Sequence, residues 1–534
     1  MATNYENLDD FFPFATKRPG QPETLAAIQK YLLDPNIKYI LVEASTGTGK
    51  SPMALAAAGA SGSAYVATAN KFLQDQYIRD FSDIMVDLKG RANYRCLCHH
   101  VPPDMVWKYG ASYTCSNSPC RETKESRAQC AKSKSCEYHR QLQKASKSDI
   151  VCFNFASALA FLNYYGSLFA KRNLLVCDEC HNIPTWITNF VSIELSLKTL
   201  KELELKEEIP DFSTVEEYDM FICAIQREVN YLLDSEGLID PKMVHKLENF
   251  QTKLTLFDEI TNLKLNMGNF VMEKIYEQVQ GVRNSSKLIK LIFKPVVISE
   301  IVDKYLFKFA DKILLLSATI LDFPTYMAMM GLDPEKTAII RVPSSFPPEN
   351  RPIYTHMAIG CINQYNLDEL LPKIVDSIKI IIDYYPDYKG IIHGVTYKIC
   401  DYIFKNLDTS RLLFPRKAEE QKEIFDKHIK TKNPTILLSP SMTEGVDLKH
   451  DSSRVQIQVK TPYAYFGDPV LKARIALYPN YYNMLTALAL TQGYGRSIRD
   501  DDDFCFTFFI DSSTISFIEN NKNIIQKSLI QAIQ

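Results

Sequence analysis

The stretch Leu41-Val-Glu-Ala-Ser-Thr-Gly-Thr-Gly-Lys-Ser51 constrains this 534-residue chain more than any other. An apolar run, Tyr39 to Val42, enters a Gly-rich turn that closes on Lys50 and Ser51, and a helix-forming run from Pro52 follows at once. Strand, loop and helix in that order are the setting of a phosphate-binding loop. The backbone N–H groups of Thr46, Gly47, Thr48 and Gly49, with the helix N-terminus, surround a polyphosphate. Lys50 reaches its outer phosphates and Ser51 holds Mg²⁺. Ala44 stands where the usual pattern has its first Gly.

The segments after the loop alternate between strand and helix. Ala64 to Asn70 reads as a short buried strand and Lys71 to Gln76 as the start of a helix. Such alternation predicts an α/β fold with a parallel sheet, whose ligands sit at the carboxyl ends of the strands. Thr68 and Asn70 fall on that edge, where a nucleic-acid strand could pass. Asn173 to His181 is an apolar strand ending in Asp178 and Glu179. With a phosphate loop upstream, Asp178 is read as the second Mg²⁺ holder and Glu179 as the group that orients or deprotonates attacking water. Ahead of the loop, Gln21 opens an amphipathic helix and could offer its amide to an adenine edge.

Ser317 and Thr319 close another apolar strand, and the proline-dense segment Pro343 to Pro352 reads as a domain junction. A second alternating pattern follows, with strands at 390–396, 435–439, 455–459 and 504–510 and no second phosphate loop. The second α/β domain is therefore expected to share the first one's nucleotide, through 442–447 and through Gln492, Arg496 and Arg499. These last three fall at i, i+4 and i+7, on one helix face, where guanidinium groups could stabilise a transferring phosphoryl group.

Hydrophobic residues make up 46% of the chain and charged residues 23%, which excludes a mainly disordered protein. Length alone suggests about three or four domains. The first 13 residues lack a basic start and an apolar core, and no apolar run approaches the ~20 residues of a membrane span, so a cytoplasmic protein is expected. A net charge of −2 says nothing about nucleic acid, but residues 86–150 hold twelve Lys/Arg against six Asp/Glu. Six of the 13 cysteines (Cys96, Cys98, Cys115, Cys120, Cys130 and Cys136) fall in that same stretch. Their clustering points to zinc or an iron–sulfur cluster, and the absence of tight Cys-x2-Cys pairs favours iron–sulfur. From Ile193 to about Leu306 glycine is scarce and helical periods dominate. Tyr218, Phe221, Ile222, Ile225, Val229 and Leu232 form one stripe, and Met243, Leu247, Phe250, Leu254 and Phe257 another. An all-helical inserted domain is expected there, with a capping box at Ser213 to Glu216.

Taken in order, these pieces resemble the XPD/DinG-like iron–sulfur group of superfamily 2 DNA helicases over nearly the whole chain. Arg18 to Gln21 is similar to the group's adenine segment, Glu43 to Ser51 to motif I, and Gly90 to Cys96 to the start of its cluster domain. Asp178-Glu-Cys-His181 looks like its DEAH box, with Cys180 for the usual Ala. Ser317 to Thr319 resembles motif III, Glu444 to Asp447 motif V, and Gln492 to Arg499 motif VI. The resemblance implies two RecA-like parallel-sheet motor domains, a 4Fe–4S domain and a helical arch. The implied division is motor domain 1 at 1–85, 151–192 and 307–345, cluster domain 86–150, arch 193–306 and motor domain 2 at 346–534. It further implies ATP and Mg²⁺ as cofactors, and a monomer that moves 5′ to 3′ on single-stranded DNA and opens forked or hybrid duplex. Cys96, Cys130 and Cys136 match the family's ligands best, with Cys120 taken as the fourth and Cys115 as its alternative. An RNA or ribonucleoprotein remodeller and a non-unwinding DNA-binding scaffold are the alternatives to a helicase.

Overall fold

The computed structural model describes residues 5–45, 47–121, 124–132, 135–205, 208–212, 214–234, 241–261, 270–278, 286–344, 346–417, 420–440, 448, 450–495, 497 and 503–534. In chain order the strands are β1 (Tyr39–Ala44), β2 (Ala64–Thr68), β3 (Val86–Asp87), β4 (Ile150–Asn154), β5 (Arg172–Asp178), β6 (Ile193–Ser196), β7 (Phe270–Gln278) and β8 (Ser286–Pro295). They continue with β9 (Ala310–Ser317), β10 (Thr337–Val342), β11 (Ile353–Tyr354), β12 (Gly390–His393), β13 (Leu412–Leu413), β14 (Ile436–Ser439), β15 (Val455–Gln458) and β16 (Phe506–Phe509). Three helices shape the site: α1 (Gln21–Leu33), α2 (Lys50–Ala60) and α3 (Lys71–Phe81).

Two parallel sheets form the motor domains. The first has the order β10-β1-β9-β5-β2-β4-β3 and the second β11-β16-β15-β12-β14-β13. Their strands read as continuous apolar runs because helices cover both faces. In β1, Tyr39 and Leu41 pack into one apolar layer while Ile40, Val42 and Ala44 pack into the other. That period of two is the pleat itself. β9 lies between β1 and β5, with Glu43 opposite Ser317 and Leu316 opposite Asp178. The ends of the three motif-bearing strands therefore lie side by side.

The cysteine-bearing residues leave the first sheet after β3 and return at β4, its neighbour on the sheet edge. Helix Glu137–Lys147 brings the chain back, with Tyr138, Leu142 and Ala145 turned into the motor core. The segment 193–306 is not all-helical. Helices Val215–Asp234 and Pro241–Thr261 are present, with Tyr218, Ile222, Ile225, Val229, Leu247 and Leu254 buried. A three-stranded antiparallel sheet, β6-β8-β7, joins them. Apolar residues at 288, 289, 291, 292 and 293 satisfy a helical period as well as an alternating one, and partnership with β6 and β7 selects the strand. The side chain of Phe257 and residue Ser213 lie outside the described residues. The capping box sits one residue later than expected. Thr214 Oγ1 accepts from Glu217 N at 3.2 Å, and Glu217 Oε2 accepts from Thr214 N at 3.3 Å.

Helix Pro469–Leu477 of the second motor domain reaches back to the inserted domain. Arg474 is buried there without a carboxylate: its Nε donates to Val296 O at 3.0 Å and its Nη2 to Thr188 Oγ1 at 2.7 Å. Leu471, Tyr481 and Met484 join the same apolar cluster as the inserted domain and the first motor domain. No helix among the described residues is long and apolar enough to cross a membrane.

Candidate active site between the motor domains and the cysteine centre

A cleft of about 1120 Å³ runs between the two motor domains, lined on one side by Lys50, Ser51 and Asp178 and on the other by Gln492 and Gly495. That space is ample for a nucleoside triphosphate. The phosphate loop is held open by its own glycines. Gly47 (φ 85°) and Gly49 (φ 78°) adopt left-handed backbone, and a Cβ on Gly49 would lie 2.1 Å from Gln21 Nε2. Only glycine meets both demands. Lys50 opens α2, and its Nζ donates to Ala44 O at 3.1 Å, back across the loop. Thr48 Oγ1 donates to Ser45 O at 2.7 Å, and Arg18 Nη1 to Gly47 O at 2.5 Å. Thr46 lies outside the described residues.

The Gln21 amide braces the loop. Its Oε1 accepts from Arg18 N at 2.7 Å, its Nε2 donates to Thr48 O at 2.9 Å, and the residue is buried. Thr68 is likewise internal, with its hydroxyl shared between Asn70 O and Phe153 O, both at 3.2 Å. Asn70 caps α3 by accepting from Leu73 N at 3.0 Å and faces the cleft.

Asp178 ends β5 and is buried. Its Oδ1 accepts from Glu179 N at 3.0 Å and its Oδ2 from the Tyr77 hydroxyl at 2.7 Å. Burial, and then the Glu179 charge, push its carboxyl up to about 6, while Lys50, the Tyr77 hydroxyl and Glu179 N–H act in the opposite sense. Glu179 has φ 55°, a left-handed backbone that costs a non-glycine residue on the order of 1 kcal/mol. Its side chain reaches His181, where Glu179 Oε2 lies 3.4 Å from Nδ1.

His181 joins the two motor domains. Its Nε2 receives the amide groups of Gln492 at 2.6 Å and Asn182 at 3.0 Å, so the ring proton sits on Nδ1 and is donated to Ser317 Oγ at 2.8 Å. Ser317 Oγ also accepts from Thr319 N at 3.0 Å. Glu43, buried beside the loop, accepts from Ile320 N at 2.9 Å and Leu321 N at 2.7 Å, and burial raises its carboxyl. Those bonds hold Leu321 at φ 63°, where it packs against Ile353, Leu490 and Tyr494 of the second motor domain.

The helix carrying Gln492 runs from Tyr481 to Tyr494 and is capped by Gly495. Glycines at 493 and 495 stop it. Arg496, Arg499 and the segment 442–447 lie outside the described residues. Sequence reasoning singled out Gln492 but missed His181, Tyr77 and Glu43. His181 carried a signal in the Asp-Glu-Cys-His run; Tyr77 carried none.

The cysteine centre gathers more donors than the four expected. Cys96, Cys115, Cys120, Cys130 and Cys136 are all buried and none is in a disulfide. Cys115 neighbours Cys136, Cys96 and Cys120, and its thiol is pushed up to about 12 by burial first and by those thiols next. The Cys130 thiol is likewise raised, by burial first and then by hydrogen bonds with Cys136 and Cys120. The donor atoms of Cys130, Cys136 and His139 lie within 4.8 Å of one another. Cys98 is exposed, 3.6 Å from Ser135 Oγ. Buried, mutually opposed thiols in this number suit a soft cation or a thiolate-held cluster, which alone makes their charged forms favourable there.

Comparisons with known proteins agree with this architecture. The family model described as "Helicase C-terminal domain" matches residues 393–532. The ATP-dependent DNA helicase YoaA of Haemophilus influenzae is 22% identical, over 93% of this chain and 90% of that protein. Its Escherichia coli counterpart is 21% identical, over 91% and 90%. Among solved structures, one titled "XPD_Helicase" superposes with a TM-score of 0.64 at 15% identity, covering 96% of this chain and 98% of the other. S. tokodaii Xpd4 superposes with a TM-score of 0.57 at 13% identity, covering 97% and 99%. The chain is thus similar over nearly its whole length to the YoaA DNA helicases, carries a helicase C-terminal match in its second α/β domain and has an XPD-like fold, in line with the resemblance to the XPD/DinG-like superfamily 2 helicases.

Proposed function

We propose that this protein is an ATP-dependent DNA helicase, which hydrolyses ATP to move 5′ to 3′ along single-stranded DNA as a monomer and opens duplex or DNA–RNA hybrid. The observation that carries the reading is the His181 bridge, which ties Glu179 and Ser317 of one motor domain to Gln492 of the other across the cleft. A phosphate loop that only bound nucleotide would need no such connection. The likeness to the YoaA ATP-dependent DNA helicases points the same way.

In this reading Lys50 leaves the Ala44 carbonyl for the outer phosphates, and Ser51 and Asp178 hold Mg²⁺. Bound Mg²⁺ neutralises charge on the phosphate oxygens. Glu179 takes the proton of the attacking water, and its bent backbone and His181 hold it in place for that task. Loss of the γ-phosphate loosens the cleft, and the His181–Gln492 contact passes the change between domains. Arg496 and Arg499 supply positive charge to the transition state from the second domain. Cys96, Cys130 and Cys136, with Cys120 or Cys115, hold a 4Fe–4S cluster that stiffens the basic module beside the strand.

Unwinding of 5′-tailed and 3′-tailed DNA duplexes with ATP tests the reading. Opening of the 5′-tailed substrate alone is expected. Opening only from 3′ tails overturns the direction, and hydrolysis stimulated by single-stranded RNA but not DNA overturns the substrate.

A further inference from the structure

Tyr77 stands directly behind the metal side of the cleft. It lies on α3, is fully buried, and packs edge-on against Phe81 with ring centroids 6.3 Å apart. Its ring joins the apolar layer that also holds Met53 and Ala57 of α2. A phenylalanine would serve that packing equally well. The hydroxyl is therefore the informative atom, because a buried hydroxyl without a partner is costly. It donates to Asp178 Oδ2 at 2.7 Å and meets the Ser51 hydroxyl as a second hydrogen-bond partner. One phenol thus joins the helix after the phosphate loop to the end of β5, touching both residues assigned to Mg²⁺.

We propose that Tyr77 is a positioning residue for the divalent cation: its hydroxyl sets the rotation of the Asp178 carboxylate relative to Ser51 before nucleotide arrives. This inference rests on the ATP-hydrolase reading of the cleft. With Oδ1 held by Glu179 N–H and Oδ2 by Tyr77, the carboxylate plane is fixed at both ends. The remaining lone pairs are then available to a cation or its water shell. Without the phenol, Oδ2 loses its inward partner, and the cation has to order the carboxylate as it binds.

The test is Tyr77→Phe in the full-length protein, with fluorescent ATP-analogue binding followed at increasing Mg²⁺ and again in EDTA. The Mg²⁺ needed for half-maximal binding is expected to rise roughly tenfold, equivalent to about 1.4 kcal/mol. Binding in EDTA should stay within about twofold of the parent, since the hydroxyl acts through Asp178 and Ser51, the two residues assigned to Mg²⁺. ATP hydrolysis should recover at high Mg²⁺. Tyr77→Leu, which also removes the ring, should show the same Mg²⁺ shift together with a lower melting temperature. A Mg²⁺ shift in the leucine variant alone, or in neither, assigns Tyr77 to packing and overturns the proposal. A parent protein that binds no nucleotide at all overturns this proposal together with the reading it rests on.

Discussion

The nucleotide cleft and the cysteine centre hang from the same seven-stranded sheet, yet their buried ionisable groups are satisfied in different ways. At Asp178 the chain supplies the compensation itself: the Tyr77 hydroxyl, Glu179 N–H and the Lys50 charge offset part of the penalty of burial. At Cys115 and Cys130 the causes run one way, with burial and neighbouring thiols all opposing ionisation. In the cleft, groups of the chain itself offset the burial of the carboxylate. The cysteine centre is a set of donors whose charged form needs a cation, so its binding energy is folding energy for the module.

The largest effect should come from testing that dependence. Structural metal sites contribute on the order of 10 kcal/mol to the folding of the module that holds them. Cys136→Ser is expected to abolish the broad absorbance near ~400 nm given by thiolate-held iron–sulfur clusters and to expose residues 88–149 to protease. Unwinding should be lost, while binding of an ATP analogue to the cleft persists. Loss of nucleotide binding as well would break the comparison, because the two sites would then share one folding unit.

The second test removes compensation from the cleft. Lys50→Ala should lower DNA-stimulated phosphate release by on the order of 10²–10³-fold, as removal of a preorganised charge from a transition state does. Single-stranded DNA binding and the cluster absorbance should be unchanged. A third test takes a buried charge that the chain satisfies without any acid. Arg474→Ala leaves the Val296 carbonyl and the Thr188 hydroxyl without their donor at the joint between the second motor domain and the inserted domain. We expect a loss of about 3 kcal/mol, read as a lower melting temperature and faster proteolysis of that joint.

These pairings also mark where sequence reading reaches its limit. The phosphate loop, the Asp178-Glu179 strand end and four of the six strands of the second sheet are legible because apolar runs and Gly-rich turns are local signals, whereas the two-residue strands β11 and β13 are too short to leave one. The Tyr77–Asp178 bond joins residues 101 apart and the Glu43–Leu321 bond residues 278 apart, and neither leaves a pattern in the chain. Tyr77 in an amphipathic helix reads as ordinary core. β7 and β8 were hidden because their apolar spacing suits helix and strand alike, and a register shift between Ile275 and Tyr276 breaks the alternation further. The five cysteines were visible as a cluster, but which of them converge depends on how short helices fold over the sheet edge. The bracing of the loop by Gln21 was not legible because its placement beside Gly49 is a property of the folded turn.

His428 gives the smallest expected effect, and it tests whether satisfaction within the chain can also favour a neutral group. The ring is buried in the second motor domain. Its Nε2–H donates to Ser452 O at 2.8 Å, and Nδ1 accepts from the Thr435 hydroxyl at 2.8 Å. Burial first, and then the Lys389 charge, lower its pKa to about 4 from 6.5, against the Ser452 carbonyl, which acts to raise it. In the unfolded chain the ring takes up a proton below about pH 6.5, whereas the folded ring stays neutral until about pH 4. The unfolded state therefore binds more protons across that window, and stability falls as pH falls through it. Between pH 7 and pH 5 the loss from this group is about 2 kcal/mol. Denaturant midpoints at the two pH values should differ more in the parent than in His428→Gln, since carboxylates and other histidines titrate alike in both. An equal pH dependence in the two proteins would show that the imidazole is reached by water or a counter-charge when protonated. The hydrogen bonds to Ser452 and Thr435 would then hold the ring in place without enforcing its neutral form.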